Sequence, residues 1–296
     1  MKKIKTLLLL MIFPFFLASC ASVLSPYDAK KPVGEQINYT ITGIDAGAGI
    51  MSSTEKAISD YQLDKNNWQL QPSSTAAMTS TLAKAIKDKR PIVVTGWTPH
   101  WMFTKFDLKF LEDPKGSFGK TENIHTIVRK DLKKDEPTAY EVLDRFYWTP
   151  EEMADVMLQV NEGVDPEKAA ADWLKANPEK LEEWTKDLKK VDGNPIKLTY
   201  VAWDSEIAST NVVALALNEV GYDTTVQAME IQPMWASVAT NAADAMVAAW
   251  LPNTAGIFYE DYKDDIEDLG INLEGAKLGL VVPTYMENIN SIEDLK

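Results

Sequence analysis

The sequence predicts an α/β fold of two similar lobes, and three observations support this. Apolar, β-branched runs alternate with segments of helical periodicity, a pattern typical of parallel sheets joined by right-handed crossovers. The order strand, loop, helix, strand, helix, strand occurs twice, over residues 38–101 and 196–254. Each unit ends with a buried strand that leads into Trp-x-Pro, at Trp97 and at Trp250. Ligands of such sheets bind beyond the carboxyl ends of the strands, so we expect a cleft there.

The first unit contains a loop with two glycines, Gly47 and Gly49, directly before a predicted helix. That helix is expected to begin near Ser53, where Ser and Thr can cap it, and to end near Tyr61. The predicted elements are a strand at 38–44, the loop at 45–50, a helix at 53–61, a strand at 68–70, a helix capped at 73–75 that ends at 89–90, and a strand at 91–95.

The middle of the chain is predicted to be helical and solvated. Three helices should begin at Pro150, Pro166 and Pro178, because proline suits the first helical position and each follows a good N-cap residue. The second unit then has predicted strands at 196–203, 223–229 and 244–249, a helix capped by Asp204 or Ser205 and stopped by Gly221, and a helix at 232–242. A last buried strand is predicted at 278–283, and a short helix from Ser291.

The net charge is strongly negative, which excludes some classes of partner. With 30 basic and 44 acidic residues the chain carries −14 at pH 7. Without the first 19 residues, which hold three lysines and no acid, the charge is −17, from 27 basic and 44 acidic residues. We therefore expect no binding to nucleic acid or anionic lipid through the overall field. A hydrophobic content of 45% indicates a folded globular protein.

Residues 1–19 have the features of an export signal. Lysines precede an apolar run that is too short for a membrane span. The motif Leu17-Ala18-Ser19-Cys20 resembles a lipobox, which implies that Cys20 is lipidated and that residues 20–36 tether the protein to the membrane. The alternative is an ordinary signal peptide with a chance cysteine. Cys20 is the only cysteine, so we expect neither a disulfide within the chain nor a catalytic thiol.

Enzyme signatures are scarce. The sequence has no nucleophile elbow, P-loop or HExxH motif, and its two histidines, His100 and His125, are not spaced for a metal site. We therefore expect no catalytic residue, no metal and no cofactor. For His100, a structural hydrogen bond is favoured over a ligand contact. Three carboxylates at strand ends could form an acid–base pair, although helix capping explains the second more simply; they are Asp45, Asp204 and Glu206.

Three tryptophans fall at predicted carboxyl ends of strands, where their side chains would project into the cleft: Trp97, Trp203 and Trp250. Indole faces attract cations, and a quaternary ammonium, which has no N–H to donate, suits an aromatic cage. The loop from Gly47 to Ile50 can direct backbone N–H groups at an anion. Together these features predict a ligand with a methylated ammonium and a carboxylate. Trp101 is assigned to packing or to the rim of the site.

Seven sequence motifs are long and specific: GIDAGAGI at 43–50, SSTAAM at 73–78, GWTPHWMF at 96–103, IHTIVRK at 124–130, YVAWDSEIASTNV at 200–212, AWLPNT at 249–254 and GLVVPTYM at 279–286. On these motifs, essentially the whole mature chain resembles the glycine betaine-binding proteins of osmoprotectant-uptake ABC transporters. The resemblance is to the membrane-anchored OpuAC type, which is related to ProX. It implies a bilobal type II solute-binding fold that closes on its ligand.

The resemblance also implies roles for single residues. In the family, three tryptophans surround the trimethylammonium group and two backbone amides bind the carboxylate; the matching positions are Trp97, Trp203, Trp250, Gly49 and Ile50. Where the OpuAC type has a histidine that assists at the carboxylate, this chain has Ala255. One contact is therefore expected to be missing, which affects the affinity and the order of related ligands.

By the same resemblance, the chain should cross between its lobes near residues 124–129 and again near 282–285, and these crossings would form the hinge. The predicted division is a signal peptide at 1–19, a lipid-anchor tether at 20–36, a first lobe at 37–125 plus 286–296, and a second lobe at 126–285.

We thus expect a monomeric, lipid-anchored binding protein on the extracellular face of the cell membrane. It would capture glycine betaine, and also proline betaine, for the permease of an ABC importer. One alternative keeps the binding role but changes the ligand to choline, carnitine or another betaine. A remote alternative is an exported enzyme that acts on an amino-acid-like substrate with the three carboxylates named above.

Overall fold

The structure is a computed structural model and describes residues 25–296. Its strands are β1 (Thr40–Thr42), β2 (Gln69–Gln71), β3 (Val93–Thr98), β4 (Leu108–Phe110), β5 (Glu122–Arg129), β6 (Pro195–Tyr200), β7 (Asp223–Ala228), β8 (Ala245–Leu251) and β9 (Ile266–Pro283). They form a nine-stranded sheet in the order β2-β1-β3-β9-β5-β8-β6-β7, and β4 pairs with β9 beside this path.

The helices are α1 (Val33–Gln36), α2 (Gly49–Asp60), α3 (Thr75–Lys87), α4 (Met102–Lys105), α5 (Leu132–Asp135), α6 (Pro137–Arg145), α7 (Pro150–Asn161), α8 (Pro166–Ala176), α9 (Pro178–Thr185), α10 (Asp204–Glu219), α11 (Ile231–Ala239) and α12 (Gly256–Tyr262). Short 3-10 helices lie at Leu63–Asn66 and Ile292–Leu295. Among residues 25–296, no helix combines the length and the apolar character that crossing a membrane requires.

The sheet consists of two strand groups built on one plan. In the first strand group, β1 pairs in parallel with β2 and β3. In the second strand group, β6 pairs in parallel with β7 and β8. An antiparallel strand borders each group, with β9 beside β3 and β5 beside β8. The α/β class and the repeated unit predicted from the sequence are confirmed.

The 18-residue strand β9 joins the two strand groups. Its first part pairs with β5 as far as Ala276, opposite Glu122, and its last part pairs with β3 from Lys277, opposite Thr98. The sequence predicted a strand only at 278–283, because the preceding part is interrupted by glycine and acidic residues and lacks an apolar run. The division into lobes at 37–125 plus 286–296 and 126–285 stays a prediction, although β9 changes partner before its predicted crossing.

Several helices begin where local sequence signals predicted. The helices α7, α8 and α9 begin at the three prolines, and Thr149 forms both hydrogen bonds of a capping box with Glu152. Ser74 caps α3 as expected. Two starts were predicted wrongly. The helix α2 begins at Gly49 instead of near Ser53, and α10 has Trp203 at its N-cap, with no capping bond from Asp204 or Ser205 among the described contacts.

Residues 25–36, the described part of the predicted tether, contact the segment of the chain that carries the first strand group. Val33 is buried, and the backbone N–H of Tyr27 donates to the carbonyl of Lys89 at 2.8 Å. The predicted signal peptide and the lipidated Cys20 lie outside the described residues.

The end of α10 gives a test of the fold. Gly221 has a φ of +97°, and a Cβ there would lie 2.1 Å from the carbonyl oxygen of Val191. Gly163 has a similar φ of +93°, with no atom of the described residues within 4 Å of its Cβ position. We expect Gly221→Ala to lower the free energy of unfolding by about 2–5 kcal/mol, and Gly163→Ala by about 1–2 kcal/mol. Urea unfolding measures both, and equal losses would contradict the tight contact.

Candidate functional site

One cavity brings together every binding residue predicted from the sequence. It lies at the carboxyl ends of β1, β3, β6 and β8, and its volume is about 370 Å³ when the space open to solvent is included. Most of its lining is apolar or aromatic; the lining residues are Ile44, Ala48, Gly49, Ile50, Trp97, Trp203, Ser205, Trp250, Thr254 and Leu278. Both strand groups therefore contribute walls.

Two of the three tryptophans, Trp97 and Trp250, reach the cavity from equivalent strands of the two strand groups. Trp97 lies within β3 and Trp250 within β8, so the strands extend through residues that the sequence had placed in loops. Both are buried, with 5% and 6% of their surface exposed. Each is followed by a cis X–Pro bond, Thr98–Pro99 or Leu251–Pro252. Trp203 follows β6 as the N-cap of α10 and is half-buried.

Gly49 and Ile50 form the first turn of α2 at the cavity wall. The backbone N–H groups of a first turn have no partner within their own helix. Ala48 occupies the N-cap, and in the part of the chain that the structure describes no side chain caps α2. These amides can therefore serve an anion, which the positive end of the helix dipole also favours.

Glu122, which the sequence did not single out, fixes the loop that follows Trp250. Its carboxylate is buried and accepts the backbone N–H groups of Asn253 at 3.0 Å and Thr254 at 2.9 Å. The Thr254 hydroxyl donates to the other carboxylate oxygen. Thr254 in turn stands against Gly49, where a Cβ would lie 2.6 Å from the Thr254 carbonyl oxygen. The loops of the two strand groups thus meet at the cavity without space for a side chain.

Trp101 and His100 make polar contacts with Asp204 from across the cleft. The Trp101 indole Nε1–H donates to Asp204 Oδ2 at 2.6 Å. His100 Nε2 lies 3.4 Å from the same oxygen, although its geometry does not make it a hydrogen bond. Trp101 is 3% exposed, so it is a buried contact rather than a rim residue. The structural interpretation of His100 fits its position, since its ring packs edge-on against Trp97 with centroids 4.5 Å apart.

These contacts shift the pKa values of both titratable groups. Burial lowers the pKa of His100, and the neighbouring Asp204 carboxylate opposes this only in part. Burial disfavours the charged form of Asp204, but the interactions with His100 and the Trp101 N–H outweigh it and lower the pKa of this carboxyl. A neutral imidazole therefore faces an ionised carboxylate.

The carboxylates considered for acid–base chemistry each have a protein donor. Asp45 Oδ2 accepts the Trp203 indole N–H at 3.3 Å. Glu206 is buried and accepts the backbone N–H of Val201 at 2.6 Å. Burial raises the pKa of Glu206 to about 8, and the bond from Val201 reduces this effect. The capping role expected of Asp204 is wrong, because its carboxylate is engaged with Trp101.

Residues 25–296 hold no group of three His, Cys, Asp or Glu side chains placed to bind a metal ion. His125 is not among the cavity residues and contacts Asp268 at 3.0 Å. Ala255 is buried, with its N–H bonded to the Trp250 carbonyl at 2.9 Å, and does not line the cavity. Ser205 does line it. Sequence reasoning treated Ser205 only as a possible cap, because nothing in its spacing distinguished these two roles.

The chain is similar to known binding proteins. A family model described as "Substrate binding domain of ABC-type glycine betaine transport system" matches residues 20–176 and 194–296. The glycine betaine/carnitine transport binding protein GbuC of Listeria monocytogenes serotype 1/2a (strain 10403S) is 72% identical over 296 residues, which is 100% of this chain and 99% of that protein.

Solved structures give shorter matches. A lactococcal OpuAC, in its closed conformation with glycine betaine, is 52% identical over 50% of this chain and 58% of that one, with a TM-score of 0.48. An ABC-transporter choline-binding protein in complex with choline is 26% identical over 56% of this chain and 61% of that one, with a TM-score of 0.44. The aligned parts thus span less than two thirds of either solved chain.

Proposed function

The chain belongs to the family of substrate-binding domains of ABC-type glycine betaine transport systems, and we propose that it captures glycine betaine, and also proline betaine, for the permease of an importer. Members of this family bind and deliver a substrate and are not enzymes. The observation that supports the proposed ligand is the meeting of Trp97, Trp203 and Trp250 with the first turn of α2 in one cavity. Apolar aromatic walls and free backbone amides suit the two ends of a betaine.

The proposed division of labour follows from the chemistry of the two ends. A trimethylammonium group has no N–H, so indole faces can replace its water at little cost, and each desolvated contact contributes about 1–2 kcal/mol. The carboxylate would accept the amides of Gly49 and Ile50, where the helix dipole adds to the attraction. No side-chain cation lines the cavity among the described residues, so the charges of a zwitterion match this site better than those of an anion.

A second part of the proposal concerns the order of affinities among quaternary ammonium ligands. Choline has the ammonium but lacks the carboxylate, so it would leave the amides of Gly49 and Ile50 without a partner. Carnitine is a second candidate, since the relative GbuC bears its name. Ala255 stands where the OpuAC type has a histidine, which would weaken the hold on the carboxylate.

Calorimetric titration of the exported chain with glycine betaine, proline betaine, carnitine and choline tests the proposal. We expect glycine betaine to bind more tightly than choline, because the amides discriminate between them. We also expect its affinity to change little between low salt and about 1 M KCl, because desolvated contacts are screened far less than exposed ion pairs. Tighter binding of choline, or a steep loss of betaine affinity with salt, would contradict this assignment.

Three further features belong to the proposal. The two strand groups would act as lobes that close on the ligand, with a hinge where β9 passes from β5 to β3 and where the chain enters β5. The protein would act as a monomer on the extracellular side of the membrane. Cys20 would carry a lipid anchor, as its LASC motif suggests, and the mass of the exported protein would reveal the acyl groups.

A further inference from the structure

Two reciprocal hydrogen bonds join the strand groups beside the cavity. Trp101, just after β3, donates to Asp204 at the start of α10. Trp203, the N-cap of the same helix, donates to Asp45 in the loop after β1. An indole of each group therefore donates to a carboxylate of the other. The bond to Asp204 is the shorter, at 2.6 Å against 3.3 Å.

The Asp204 carboxylate is not used by its own helix. An aspartate at the N-cap commonly accepts a backbone N–H of the first turn, a role that the sequence predicted for Asp204. Here, within residues 25–296, no side-chain capping bond is made at α10, and Asp204 instead accepts the indole N–H of Trp101. The helix dipole favours a negative charge at this end, so the carboxylate stays ionised and its bond to the indole is charge-assisted.

His100 extends the influence of Asp204 to a wall of the cavity. His100 Nδ1 accepts the backbone N–H of Met102 at 3.1 Å, so the hydrogen of the neutral ring must reside on Nε2. That nitrogen faces Asp204 Oδ2 at 3.4 Å, which gives an attractive electrostatic contact. The imidazole also packs against the Trp97 ring. The Asp204 carboxylate thus contacts two side chains that follow β3, Trp101 and His100, and His100 supports Trp97.

We propose that Asp204 is a positioning residue for ligand binding. It would hold Trp97, from the first strand group, in place against the ligand through His100, and so slow the ligand's release. This inference rests on the proposed function. The exposure of Asp204 fits this role, because 28% of its side chain is accessible to solvent, whereas the His100 side chain is 0% exposed. The carboxylate can regain water when the groups separate.

Stopped-flow tryptophan fluorescence with glycine betaine tests the proposal. We expect Asp204→Ala to raise the dissociation rate roughly tenfold or more, since bonds to charged groups are among the stronger ones, while the association rate changes much less. Trp101→Phe removes the indole N–H from the opposite side and should raise the dissociation rate similarly. Asp204→Asn keeps an oxygen acceptor and should fall between wild type and Asp204→Ala. A double variant no faster than the faster single one would show that the two residues act together.

Trp184→Phe is the matched control. Trp184 is also buried, and its indole nitrogen has no hydrogen-bond partner in the described part of the chain, so its loss should leave the dissociation rate unchanged. Unchanged dissociation in Asp204→Ala, or effects of Asp204→Ala and Trp101→Phe that multiply independently, would overturn the proposal.

A measurement without ligand separates this inference from the proposed function. If the wild-type protein binds no quaternary ammonium, the proposed function fails, but the contact can still be observed by ¹⁵N spectra of the indole N–H groups. The Trp101 resonance, identified by its loss in Trp101→Phe, should shift in Asp204→Asn. An unshifted resonance would overturn the role of Asp204 by itself.

Discussion

Replacing Trp97, Trp203 or Trp250 with alanine is expected to weaken glycine betaine binding roughly 5- to 30-fold for each substitution, which corresponds to the loss of one desolvated cation–π contact of about 1–2 kcal/mol. Each substitution also opens the cavity to water, which raises the dielectric around the remaining rings and weakens their contacts. A second substitution then removes an already weakened contact, so two substitutions should lower the affinity by less than the product of their separate effects. Calorimetric titration at constant ionic strength measures these losses.

Two controls keep this prediction specific. Tryptophan to phenylalanine at the same positions retains a ring and should recover part of the affinity, because phenylalanine is a weaker cation–π partner. Tyr147→Ala removes an aromatic side chain that is 39% exposed and does not line the cavity, and should leave binding unchanged. Unchanged betaine affinity in all three tryptophan-to-alanine variants, with folding intact, would exclude the cage.

The parts of the fold that the sequence predicts are those specified by signals a few residues long. Ser74, Thr149 and the three helix-starting prolines act within a few residues of their own position, so their effects can be recognised without knowledge of the tertiary structure. The apolar runs of β3 and β8 are buried on both faces, which makes them equally recognisable. Trp97 and Trp250 follow these runs directly in the sequence, and the structure brings them together with Trp203 in the cavity.

Features that depend on distant partners were not predictable in this way. The first part of β9 lacks an apolar run and is a strand because β5 lies beside it. Glu122 is 132 residues from Thr254, and Trp101 is 103 residues from Asp204. A buried carboxylate with a distant donor resembles an ordinary surface acid in sequence, so these residues were missed or read as caps. The supporting residues of this site are thus harder to predict than those that line it.

Replacing Gly49 with alanine is expected to weaken glycine betaine binding by up to about a hundredfold. Overpacking costs about 1–3 kcal/mol, and this loss in the free energy of binding corresponds to that fold-change. The added Cβ would lie 2.6 Å from the Thr254 carbonyl oxygen, a backbone atom, whereas real Cβ atoms essentially never come this close. Thr254 cannot retreat easily, because its N–H and hydroxyl are both bound to the buried Glu122. Relief therefore requires α2 to move away from the loop after Trp250, which opens the cavity.

Gly47→Ala is the matched control, two residues earlier in the same loop, where no atom of residues 25–296 lies within 4 Å of the Cβ position. It should bind glycine betaine as wild type does. The clash exists only where the two strand groups meet. Gly49→Ala should therefore reduce the free energy of binding by more than it reduces the free energy of unfolding. Urea titration without ligand measures the free energy of unfolding. Equal affinities of Gly49→Ala and Gly47→Ala would contradict the prediction and show that binding does not need the close approach of Gly49 to Thr254.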